Sequence, residues 1–232
     1  MFGDPMYWTM LGLTALLSFA ASAYLKSVFA RTSKIPIASR MTGAQAAARI
    51  LQSAGIGDVE IVEGQGFLGD HYDPMNKKLV LSPANYEGSS AANVGVAAHE
   101  CGHALQHQQH YAPLFIRMST VYATNIASNA VFYVIMASLM FGLIGPHLCL
   151  WIAAVCFGTM IFFQIITLPV EFDASARAKK VLQQLAIVRP GAEAEAVNST
   201  LNAAGLTYVA ALIGTILNAA YWMLLLLNRS RN

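Results

Sequence analysis

The sequence predicts a helical integral membrane protein with four transmembrane helices and one small soluble α+β region. Three observations carry that reading. Hydrophobic residues make up 56% of the 232 and charged residues only 11%, less than half the ~25% typical of soluble domains. Four apolar runs are long enough for a ~30 Å hydrocarbon core, which takes about 20 helical residues. Only one long stretch, residues 31–117, has ordinary soluble composition. The formal charge of +2 is too small for a nucleic-acid footprint, so the expected environment is a lipid bilayer, with no nucleic-acid partner. Cys101, Cys149 and Cys156 are too few and too scattered for a disulfide framework and read as small buried hydrophobes.

The first run, residues 5–25, carries no charge and ends at Lys26. It lacks the basic start and short apolar core of a cleavable signal, so it reads as an uncleaved span within residues 1–30. The soluble region opens with TGAQAAARILQSAG, a capped amphipathic helix ending at Gly55. DVEIVEG and KKLVLS read as short strands, with turn residues and a further strand candidate in GFLGDHYDP between them. LVLS (79–82), just before the next helix, is the expected exposed sheet edge. An alanine-rich helix then runs from about Ser89 to about Gln109. Residues 118–170 hold a charge-free run too long for one helix, and Gly145-Pro146-His147 divides it into spans near 125–144 and 148–168. A polar segment, 171–204, breaks at Pro190-Gly191, and the fourth span with its short tail occupies 205–232.

Basic residues orient the chain. Lys26, Arg31, Lys34, Arg40 and Arg117 flank the first loop, and Arg177, Lys179, Lys180 and Arg189 lie in the second. With four spans both loops share one side, which the positive-inside rule makes cytoplasmic, leaving both termini outside.

The chemistry concentrates in His99-Glu100-Cys101-Gly102-His103. Side chains four apart share a helix face, so both imidazoles can reach one zinc ion, and Glu100 beside them can take a proton from an attacking water. With this composition the pattern arises by chance in roughly one sequence in two hundred. A catalytic zinc needs a third protein ligand. The metzincin pattern would need Gly and His at positions occupied by Gln106 and Gln109, so it fails. A straight helix carries His107 a turn beyond the metal, and His110 fares no better. Glu193 and Glu195 read as an exposed loop or helix start. Glu171 instead follows Leu168-Pro169-Val170 at the membrane edge, where a carboxylate is costly unless paired, solvated or metal-bound. The hairpin of spans two and three returns Glu171 to the compartment of His99. Glu171 is therefore the expected third ligand, with Asp173 as a weaker candidate or a supporting partner.

With AAHECGHALQH, LPVEFDASARA and LNAAGLTYVA on the page, the chain resembles the neutral zinc metallopeptidases of bacterial membranes, the YugP-like family. The resemblance covers nearly the whole chain. It implies a gluzincin-type site: His99, His103 and Glu171 as ligands of one Zn2+, and Glu100 as general base. The soluble region then becomes a zincin-like cytoplasmic metallopeptidase region. The wider HtpX-like membrane peptidases carry an Asp four residues after the ligand Glu, where this chain has Ser175. Candidates for stabilising the transition state or supporting the ligands are Asp173, Ser175, Tyr208, Asn202, His71 and Arg177. The expected activity is a zinc endopeptidase acting near the cytoplasmic membrane surface on membrane-associated or unfolded polypeptides. The competing reading is a non-catalytic, zinc-stabilised membrane scaffold or chaperone.

Overall fold

The structure, a computed structural model, describes residues 5–65 and 69–231. Residues 66–68 of the GFLGDHYDP stretch lie outside the described residues. Four helices are long and apolar enough to cross a membrane: Pro5–Thr32, Ala112–Phe141, His147–Gln184 and Ala192–Asn228. They belong to α1 (Pro5–Thr32), α5 (Ala112–Phe141), α6 (Pro146–Gln184) and α7 (Ala192–Arg231). Between α1 and α5 come α2 (Gly43–Ser53), β1 (Glu60–Glu63), β2 (His71–Asp73), β3 (Lys78–Leu81), α3 (Pro83–Glu87) and α4 (Ala91–Gln108). Of these, only the short α3 has no counterpart in the sequence reading.

The long helices overrun the predicted spans. The 39 residues of α6 are nearly twice the ~20 that a bilayer core needs. The helix therefore continues past Leu168 and Pro169 and carries Glu171 on unbroken helical backbone. Helix α5 begins at Ala112 rather than near residue 125. Its polar first turns are satisfied internally: the Ser119 and Thr120 hydroxyls donate to the Ile116 carbonyl at 2.8 and 2.9 Å, and Thr124 donates to Thr120 at 2.9 Å. Pro146 opens α6 at the predicted break, where its missing N–H costs nothing.

The chain divides into two compact units. The apolar unit comprises residues 5–22, 116–168 and 207–231. Its core gathers Val131, Ile135, Ala153 and Phe157 with Ala219 and Leu226, and the Cys149 and Cys156 thiols are free and buried. Phe19, Trp151 and Val155 are exposed, as lipid-facing side chains are.

The second unit comprises residues 23–115 and 169–206. Helix α2 starts with a capping box: the Thr42 hydroxyl accepts from the Gln45 N–H, and the Gln45 side chain accepts from the Thr42 N–H. The helix ends ahead of Gly55, whose φ of 69° suits glycine. Ser90 and Asn93 cap α4 in the same way. Ile50, Leu51, Leu79, Leu81, Val94, Ala98, Cys101, Leu182 and Val197 share one buried core with α4 at its centre.

The sheet has the order β1-β3-β2, with β1 parallel and β2 antiparallel to β3. This corrects the expectation for LVLS. The strand it contributes, β3, is the central one, and Leu79 and Leu81 are fully buried against the helices. The edge strands of the described sheet are β1 and β2. Proximity in sequence to α4 did not determine exposure, because the β2–β3 turn folds β2 outside β3.

Candidate metal site

Helices α4 and α6 build the site, and small residues let them do so. Along α6, Glu171, Ala174, Ser175, Ala178 and Leu182 recur at three- or four-residue spacing and are all buried. On α4 the facing residue is Gly102. A Cβ there would lie 2.5 Å from the Ala174 carbonyl oxygen and 3.0 Å from the Ala174 Cα. Only glycine admits that approach, and the approach brings Glu171 to the histidines.

His99, His103 and Glu171 converge, with their candidate ligand atoms all within 4.8 Å of one another. The Glu171 Oε2 is 3.1 Å from His99 Nε2 and 3.7 Å from His103 Nε2. Tetrahedral zinc with bonds of ~2.0–2.1 Å has ligand–ligand edges of about 3.4 Å, which these distances bracket. Electrostatics point the same way. Glu171 is only 2% exposed, and a carboxylate so buried requires positive charge beside it. Burial works against a charged His103, but its hydrogen bond to Glu171, the charges of Glu100 and Glu171, and a hydrogen bond with Gln106 outweigh it. The pKa of the ring is therefore raised. Two imidazoles and one carboxylate, with His103 and Glu171 buried and His99 partly so, are a donor set that fits a divalent zinc ion. Glu100 is 8% exposed on the same helix, between the two histidines in sequence.

Each imidazole has a partner on its other nitrogen. His99 Nδ1 lies 3.0 Å from the hydroxyl of Ser175, one of the candidate supporting residues. His103 Nδ1 lies 3.0 Å from Gln106 Oε1. The Gln106 amide nitrogen donates to the Val170 carbonyl at 2.7 Å and to Asp173 Oδ2 at 2.8 Å. Asp173 thus reaches His103 through Gln106. The sequence reading missed Gln106, treating it only as a failed metzincin position. The available signal was its place three residues after His103, on the same helix face.

The other candidates are engaged elsewhere. Arg177 donates to Asp173 at 2.5 Å and to Gln109, with its guanidinium 5.6 Å above the Tyr111 ring. Asn202 accepts from Lys179 Nζ at 2.7 Å. His71 pairs with Val80 across the sheet and bonds the Gly69 carbonyl at 2.7 Å. Strand alternation puts it opposite Tyr72, which faces α4. Tyr208 lies on α7 within the apolar unit. His107 and His110 line a separate recess of about 580 Å3 with Asp58, Tyr72 and Lys77, and His107 Nδ1 is 2.9 Å from the Tyr72 hydroxyl. Burial, with the nearby Asp58 and Asp73, pushes the Tyr72 pKa up to about 12, so the phenol stays protonated.

Fold and site together define a chain with four candidate membrane spans and a mostly buried cluster of two histidines and one glutamate that could hold a metal ion. The family described as "Putative neutral zinc metallopeptidase" matches residues 7–227, and the chain belongs to it. It is 40% identical over 227 residues to the "Putative membrane protease YugP" of Bacillus subtilis (strain 168), a match that covers 96% of this chain and 98% of that protein. No solved structure matches the chain.

Proposed function

We propose that the protein is a zinc-dependent membrane endopeptidase of gluzincin type. His99, His103 and Glu171 would hold one zinc ion. The observation that carries this reading is the nearly buried Glu171 carboxylate, 3.1 and 3.7 Å from the imidazoles that flank Glu100 in sequence. Zinc, when bound, supplies Lewis acidity toward the scissile carbonyl and the attacking water. Glu100 accepts the proton that water loses and delivers it to the amide nitrogen as the C–N bond breaks. The edge strand β2 packs against α4 and is the natural place for an extended polypeptide to add a strand.

The positive-inside bias supports a cytoplasmic site close to the membrane surface, with both termini outside. Glu171 follows the third apolar run by three residues, which favours substrates that are membrane-associated or unfolded polypeptides presented there. The test is Glu100→Gln in purified, zinc-loaded full-length protein, against an unfolded casein-type chain and a membrane-derived polypeptide. Zinc should stay bound while hydrolysis falls at least a hundredfold. Full activity of the variant in the cell would instead favour a zinc-stabilised scaffold. Absence of cleavage by wild-type protein carrying one zinc would refute the substrate assignment.

A further inference from the structure

We propose that Gln106 is the positioning residue that fixes the tautomer of His103 and ties the two metal-bearing helices together. The inference deepens the zinc reading and rests on it. It follows from donor and acceptor bookkeeping at one fully buried side chain, 0% exposed. The Gln106 amide has one donating end and one accepting end. One end faces the Val170 carbonyl at 2.7 Å and Asp173 Oδ2 at 2.8 Å. A backbone carbonyl can only accept. Asp173 Oδ2 already accepts from the Arg177 guanidinium at 2.5 Å, and it is an acceptor toward Gln106 as well. The NH2 group must therefore point toward α6, and the amide oxygen is left facing His103 Nδ1 at 3.0 Å. That nitrogen has to carry a proton, and in the neutral ring it is then Nε2, on the side of Glu171, that holds the lone pair.

The chain of constraint runs Arg177, Asp173, Gln106, His103. At His99 the corresponding partner is the Ser175 hydroxyl, which can donate or accept and so imposes no tautomer by itself. Val170 and Asp173 also bracket Glu171 in sequence. The same amide thus sets one imidazole and holds the helical turn bearing the carboxylate ligand.

Two variants of full-length protein in detergent separate positioning from packing. Gln106→Met keeps the volume and removes both polar ends. Gln106→Glu keeps an acceptor for His103 but loses the amide donors to Val170 and Asp173. Zinc affinity is read by competition with a chromophoric chelator, and the His103 tautomer by nitrogen NMR of metal-free protein at alkaline pH. Gln106→Met should weaken zinc binding 10- to 100-fold, the usual loss when a ligand's hydrogen-bond partner is removed, and should leave His103 without a single tautomer. Gln106→Glu should recover most of that affinity and the Nδ1–H form, although it is the less stable protein on heating. Wild-type affinity in Gln106→Met, or weaker binding in Gln106→Glu than in Gln106→Met, would overturn the inference in favour of a packing role. Failure of the zinc reading looks different: wild-type protein would take up no zinc, while the tautomer readout would still decide the role of Gln106.

Discussion

Replacing Gly102 by Ala probes the close contact between α4 and α6 on which the site depends. The added Cβ would meet the Ala174 carbonyl oxygen at 2.5 Å and the Ala174 carbonyl carbon at 3.0 Å. Both are backbone atoms and cannot swing aside. Restoring an ordinary separation of about 3.5 Å requires the helices to part by roughly 0.5–1 Å. A metal or catalytic constellation tolerates only about 0.5 Å of misplacement, so the imidazole–carboxylate cluster should open beyond what short zinc bonds can span. The stability change should be smaller than the functional one. Alanine gains about 1 kcal/mol of helix propensity over glycine, and overpacking costs about 1–3 kcal/mol. The net loss is therefore between about 0 and 2 kcal/mol, and the variant should fold. Zinc affinity should fall at least tenfold by chelator competition, with peptide hydrolysis falling alongside it. Gly95→Ala is the control on the same helix: its nearest neighbour would be Val197 Cγ1 at 3.5 Å, an ordinary contact, so it should retain affinity. Gly102→Ala with wild-type affinity and stability would refute the close-approach argument.

Further expectations concern single side chains. Ser175→Ala removes the hydroxyl beside His99 Nδ1 and should weaken zinc binding about tenfold, with little change in helix content by circular dichroism. Cys101 is fully buried, and burial, with the charge of Glu100, raises its thiol pKa. It should resist iodoacetamide in native protein and react only after denaturation, as followed by mass spectrometry; rapid native alkylation would contradict its place in the core.

How much was legible in the sequence varies by element. The histidine pair was legible because the four-residue spacing of His99 and His103 is a property of one helix. Glu171 was legible for a different reason: hydropathy located the end of the third apolar run, and an acidic residue there is unusual enough to need a partner. The capped start of α2 at Thr42 and the break at Pro146 were also written locally. The second span was placed to begin near residue 125, short of the start of α5, because Ser119, Thr120 and Thr124 lower the hydropathy while their hydroxyls bond back onto the helix.

The sequence alone thus determined which segments are apolar helices, where the motif lies and which carboxylate belongs with it. These depend on periodicity and polarity within a few turns of chain. Tertiary structure alone decided that β3 is central and β2 an edge, since strand order depends on pairing partners that strand composition does not name. It also decided that Gly102 sits against Ala174 and that Gln106 joins His103 to Asp173. These contacts arise only when α4 and α6, some seventy residues apart in the chain, are packed closely enough for a glycine to matter.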